Sequence, residues 1–235
     1  MTVSAHTADS GEHPVVVAIR TGAAPGGDHR DRLIAAMGEL LAEQGYASVT
    51  VTGIVSRARV SKRTFYQHFS DREECLLATY RVVAESPLHR IAEAATAVVG
   101  TGLPVREEIA VVTGAYLSAM AEHPLLTRAM LTEPGSTGAA GLAARREVMG
   151  RFADGLVALS QTRGRALAVG LAQALVGGIN ELVLSAVESA EVPAPEMAAA
   201  ILALGDTVTD LAVAVLDAQS PEGSSTQNSL PDGSA

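Results

Sequence analysis

Between Arg57 and Arg72 five basic side chains, Arg57, Arg59, Lys62, Arg63 and Arg72, stand against a single acid, Asp71. So dense a run of cations, in a chain whose net charge is −9, suits the phosphate backbone of a nucleic acid. Lys62 and Arg63 have the reach and the donors for guanine O6 and N7, and Thr64 can offer a hydroxyl or a methyl to thymine. Tyr66 and His68 can donate to phosphate oxygens, which fixes position without reading sequence. Other chemistry is poorly represented. No glycine-rich phosphate loop, nucleophile elbow or paired-histidine metal motif occurs, and the six His are scattered. Cys75 stands alone, so it has no disulfide or metal companion and suits a buried apolar position. Glu107 and Glu108 suit a helix start better than an acid/base dyad. The expectation is a protein that is not an enzyme and needs no metal or cofactor.

The basic side chains need rigid elements to aim them. Val51, Ile54, Val55 and Ala58 recur at helical spacing, Arg59-Val60-Ser61 interrupts them, and a second periodic run carries Phe65 and Phe69. That predicts two short helices and a turn. Thr50 caps the first helix, and Thr52 lies in its opening turn, within reach of the backbone or a base edge. Ser61 caps the second helix and leaves Lys62, Arg63 and Thr64 outward in its first turn. In a helix-turn-helix that end enters the major groove. Ser70 and Glu73 form a capping box for the helix that follows. Arg72, in its first turn, opposes the helix dipole, a mismatch that a phosphate could relieve. Upstream, Arg32–Gln44 forms a helix with Leu33, Ile34, Met37, Leu40 and Leu41 on one face and ends at Gly45. It covers the apolar side of the two-helix reader. From Asp28 to Glu73 seven basic residues face six acidic ones, so the acidity of the chain lies outside this head.

The run Ser61-Lys62-Arg63-Thr64-Phe65-Tyr66-Gln67-His68-Phe69, with Thr50-Val51, Ile54-Val55 and Asp71-Arg72-Glu73-Glu74 around it, resembles the DNA-binding signature of the TetR (tetracycline-repressor-like) family. The likeness extends from near Arg30 to near Tyr80. It departs from the family at Arg59, where glycine is usual. If the turn needs a positive φ, Arg59 is strained by about 1 kcal/mol or more, and its guanidinium could alternatively reach a phosphate. The resemblance implies an all-α fold with a three-helix helix-turn-helix domain over residues 28–74. A helical effector-binding and dimerisation domain follows over 75–218, between a disordered arm (1–27) and a disordered tail (219–235). It also implies a cytoplasmic homodimeric regulator, a repressor more than an activator. Its partners are a palindromic double-stranded operator and a small, largely apolar effector. The DNA contacts would come from Thr50, Thr52, Arg59, Ser61, Lys62, Arg63, Thr64, Tyr66, His68 and Arg72.

Beyond the head, Glu73 opens a connector helix that bends near Ser86, ahead of Pro87. Apolar helices follow at Val105–Glu122, Pro124–Leu131, Ala140–Ser160, Arg165–Ser189 and Pro195–Asp217. No run of about 18 residues is free of a charge, glycine or polar break, which argues against a membrane span. The stripes Leu167-Leu171-Leu175-Gly178-Leu182-Ser185 and Ile201-Leu204-Val208-Leu211-Val215 leave the last two helices apolar on more than one face. They therefore should pair across a two-fold axis. Tyr116, Met120, Met149, Phe152, Gln173 and Asn180 are candidate effector contacts. For the polar pair Asn180-Glu181 three roles stay open: ligand, dimer partner or solvent. Two rival readings are a constitutive DNA-binding protein with a filled body, and a helical binding protein or enzyme whose helix-turn-helix is idle.

Overall fold

A computed structural model of the chain describes residues 28–188 and 191–218, and these form eleven α-helices and no strand. The expected arm and tail lie outside the described residues. The head comprises α1 (His29–Gln44), α2 (Val51–Ala58) and α3 (Lys62–His68). α1 starts three residues earlier than its periodicity predicts because the Asp28 carboxylate accepts from the Asp31 amide, 3.0 Å away. It ends at Gly45, whose φ of 70° would strain any residue with a Cβ.

α4 (Arg72–Val83) leaves the head, and α5 (Glu85–Ala97) follows after a break at Ala84 that leaves Pro87 in its first turn. The cap of α4 sits one residue beyond the expected one. Asp71 accepts from the Glu74 amide at 2.8 Å, and Glu74 reaches back to the Ser70 amide at 2.7 Å. The capping falls to Asp71 and Glu74 rather than Ser70 and Glu73, with Glu74 reaching one residue past the cap to Ser70.

The body contains α6 (Val105–Glu122), α7 (Pro124–Thr132), α8 (Gly138–Thr162), α9 (Val169–Val187), α10 (Ala194–Ala203) and α11 (Gly205–Asp217). One expected helix is two, because the chain breaks at Leu204 ahead of Gly205. A tight turn at Glu133–Thr137 joins α7 to α8. α8 lies so close over it that a Cβ on Gly141 would come 1.7 Å from the Pro134 carbonyl oxygen.

A single apolar core runs from the head into the body. Leu33, Ile34, Met37, Ile54 and Phe65 are fully buried, and the same cluster continues through Leu76, Tyr80, Leu126, Met130 and Val148. α4 thus belongs to both parts, held to α1 by the Thr79 hydroxyl, 3.5 Å from the Ile34 carbonyl. Two smaller cores, around Leu117 and Met197 and around Ala153 and Ala172, complete the body.

α9 and the segment Ala194–Asp217 are long and apolar enough on average to cross a membrane by length and composition alone, although each is interrupted by the charged, glycine or polar residues that the sequence showed. Both also supply core. Ala172, Leu175, Val176, Val183 and Val187 are buried on α9, and Met197, Ile201 and Val208 on the last two helices. The stripe predicted for α9 runs along the edge of the buried face: Leu175 is buried, Leu171, Gly178 and Leu182 are half-buried, and Ser185 is exposed. The exposed side of α9 carries Gly170, Ala174, Gly177, Glu181 and Ser185.

Candidate nucleic-acid interface and ligand cavity

The hydroxyl of Ser61 accepts from the Thr64 amide at 3.0 Å and lies 2.9 Å from the Thr64 hydroxyl, so α3 begins on a firm cap. Lys62 and Arg63 project from that first turn, both exposed, and among the described residues no carboxylate pairs with either. Tyr66, one turn on, is 58% exposed and braced edge-on against the buried Phe65 ring, 5.3 Å between centroids. Thr50 caps α2 through the Gly53 amide at 3.1 Å, and Thr52 is exposed beside it. Thr64 and His68 are half-buried.

Arg59 adopts φ 53°, ψ 48°, the left-handed conformation. The Val60 amide donates to Val55 O at 3.0 Å and the Arg59 amide to Ser56 O at 3.2 Å, a double closure that glycine most often makes. The guanidinium of Arg32 holds the turn from below, donating to the carbonyls of Ala58 and, at 2.9 Å, Arg59. The Arg59 side chain itself is exposed.

The other cations of the head hold it together. Arg57 is bound by Glu39 at 2.9 Å and Glu43 at 2.7 Å, and this pairing keeps the Glu43 carboxyl below its usual range. Arg72, expected at a phosphate, instead donates to the carbonyls of Tyr46, at 3.3 Å, and Val49, with its guanidinium 4.6 Å over the Tyr46 ring. That staple fixes the turn leading into α2, and it removes Arg72 from the set of free cations. Spacing gave no warning of either role, because the partners lie 14 to 26 residues away.

Below the head, α4 to α9 and α11 enclose a cavity of about 140 Å³, lined almost wholly by apolar side chains. Of the candidate effector contacts, Tyr116, Met120, Met149, Phe152 and Asn180 line it, whereas Gln173 is exposed on the outside of α9. Tyr116 meets Phe152 edge-on at 6.0 Å, and burial pushes its phenol well up from the ordinary tyrosine value. Asn180 is 8% exposed and its Nδ2 has no hydrogen-bond partner among the described residues, whereas Glu181 is exposed. The pair is therefore split between the interior and the surface.

Two structural links join cavity and head. Tyr80 and Val83 of α4, with Ala84 at its end, form one wall. α7 forms another through Leu126, Thr127 and Met130, and the turn after it places the Glu133 carboxylate 3.2 Å from the Tyr46 amide. Glu133 escaped the sequence reading, since nothing local marks a contact 87 residues away. Among the described residues no group of three or more acidic, His or Cys side chains could hold a metal ion.

A capped, exposed basic helix on a three-helix head, set on a helical body with an apolar cavity, defines a helix-turn-helix protein of the regulator class. Residues 33–79, which span most of the head and α4, match the family model of bacterial regulatory proteins, tetR family. A curated relative, the HTH-type transcriptional regulator HbdR of Aromatoleum sp. (strain CIB), is 34% identical over 59 residues. The match takes in 25% of this chain and 26% of the relative, so the chain spans about a quarter of that protein's length. The fold as a whole is similar to solved structures. The transcriptional regulator FadR from Bacillus subtilis, in complex with stearoyl-CoA, superposes with a TM-score of 0.61 at 21% identity, over 77% of this chain and 95% of that one. The TetR family regulator PfmR from Thermus thermophilus gives 0.53 at 18% identity, over 78% and 96%.

Proposed function

We propose that the chain is a ligand-responsive transcriptional regulator, a cytoplasmic homodimer that represses by holding a palindromic operator with α3 of each protomer. The observation that carries this reading is the pair Lys62 and Arg63, exposed and without a described carboxylate partner on the first turn of a capped helix. In such a reader Lys62, Arg63 and Thr64 address base edges. Thr52, Arg59 and Tyr66 hold phosphates, helped by the hydroxyls of Thr50 and Ser61 and by His68. Arg72 stands behind them as a brace. A dimer is supported by the small-residue face of α9 and the exposed Leu202 of α10, which a second copy would cover.

Effector control is supported by the cavity and by its two connections to the head. A filled body, the mark of a constitutive binder, is disfavoured by an open space of about 140 Å³. That a protein of similar fold was solved in complex with stearoyl-CoA supports the general idea of a bound ligand. Half-sites one helical turn apart lie about 34 Å from each other, so a small change in head spacing weakens one contact set. Gel shifts on DNA from upstream of the chain's own gene test the reading. Lys62→Ala and Arg63→Ala should each cost about 1–3 kcal/mol and relax preference at one operator position. Binding unaffected by both substitutions would overturn it.

A further inference from the structure

The cavity has a chemical selectivity of its own, and the following rests on reading it as the effector site. Several of its polar groups are occupied. The Thr113 hydroxyl lies 3.0 Å from Ile109 O and 2.9 Å from the Thr209 hydroxyl. Thr127 donates to Met120 O at 2.8 Å, and Glu122 is bound by Arg90 at 2.6 Å. The Asn180 amide is not occupied. It is more than nine-tenths buried on the cavity wall, and its Nδ2 is sealed from solvent with no partner among the described residues. A buried amide donor left unmatched destabilises the empty protein, and a ligand oxygen would relieve it.

The cavity wall is also short of positive charge. No Lys or Arg lines it. Tyr80 and Tyr116 on the wall stay neutral, since burial raises both phenols. The remaining titratable groups on the wall are Glu122 and His123. An anion entering here would shed its water and meet no Lys or Arg on the wall to replace it. Cavities of about 150 Å³ hold a molecule the size of benzene, and this one is of that order.

We propose that the cavity takes a neutral, largely apolar molecule about one ring in size whose carbonyl, ether or hydroxyl oxygen accepts from Asn180, and that it discriminates against carboxylates. Three probes of nearly equal shape test this: acetophenone, ethylbenzene and benzoate, titrated calorimetrically into the intact dimer. Acetophenone should bind roughly fivefold tighter than ethylbenzene, the ratio expected for one hydrogen bond of about 1 kcal/mol, and benzoate should bind weakest. Asn180→Leu should erase the difference between the first two and raise the melting temperature of the empty protein. Benzoate binding best, ethylbenzene equalling acetophenone on the wild type, or none of the three binding at millimolar concentration overturns the proposal. The ranking on the wild-type protein decides the matter even if the variant fails to fold. Operator affinity is measured separately with and without acetophenone. Correct ranking with unchanged operator affinity removes the effector reading and leaves the ligand class standing, whereas a reversed ranking with altered operator affinity does the opposite.

Discussion

Replacing Arg72 with Ala separates two roles that the same side chain could fill. Its guanidinium donates to the carbonyls of Tyr46 and Val49 and covers the Tyr46 ring at 4.6 Å. Hydrogen bonds from a charged group are worth about 1.5–3 kcal/mol each, and a cation over an exposed ring about 0.5–1. The side chain is half-buried, so water competes for it. Removing a cation from the first turn of α4 also recovers about 0.3–1 kcal/mol of dipole energy. The balance is a loss of about 2–4 kcal/mol. For a chain of this size each kcal/mol lowers the melting temperature by about 2–4 °C, so a fall of about 5–15 °C is expected. At a temperature where the variant is still folded, the salt dependence of its DNA binding should match that of the wild type. A phosphate contact would behave the opposite way. The melting temperature would hold, and the slope of log affinity against log salt would shrink by about 0.9 for each head, about 1.8 for a dimer. Calorimetric melting with a salt series on one DNA duplex decides between them, and the second pattern would refute the brace.

Arg59→Gly should stabilise the protein by about 1 kcal/mol, because glycine holds the left-handed conformation without a Cβ penalty; urea unfolding checks this, and lower stability would contradict the turn described. Glu133→Ala removes the acceptor of the Tyr46 amide. It should cost about 1 kcal/mol and weaken the effect of a bound ligand on operator affinity, whereas an unchanged ligand effect would leave α4 as the sole link. Cys75 predicts an alkaline weakness: burial pushes its thiol up from 9.0 to about 12. The unfolded thiol ionises first, so the stability this group contributes is complete below pH 9 and declines toward pH 12, by about 1.4 kcal/mol per pH unit. Urea titrations between pH 8 and 10, below the range in which the raised phenols of Tyr80 and Tyr116 add to it, should show the onset of that decline, and Cys75→Ala should flatten it.

Much of the head was legible because its signals are local. Ser61 and Thr50 cap where their positions say, and apolar spacing placed α1, α2 and α3. What escaped depends on contacts across the fold. Arg57 and Arg72 read as part of a basic run suited to DNA and Arg32 only as a helix start, yet carbonyls and carboxylates far along the chain engage all three. Asp71-x-x-Glu74 was as good a capping signal as Ser70-x-x-Glu73, and two adjacent signals of equal strength do not rank themselves. In the body, alanine-rich helices are apolar nearly all round, so their inward faces were ambiguous. The Leu stripe of α9 lies along the edge of the core with only Leu175 of it buried on that helix, and Gln173, two turns before Asn180 on nearly the same face, is exposed because the cavity does not extend that far along α9. The break at Leu204 was marked by Gly205 and was read through.

The salt dependence of binding to an operator duplex, measured by fluorescence anisotropy on the wild type and on Lys62→Ala/Arg63→Ala, addresses the core assertion that these two exposed cations meet DNA. The wild type should lose affinity steeply as salt rises. The double variant should bind more weakly, with a slope shallower by at most about 0.9 for each phosphate that either head no longer neutralises. Equal affinity and equal slopes for the two proteins would contradict it.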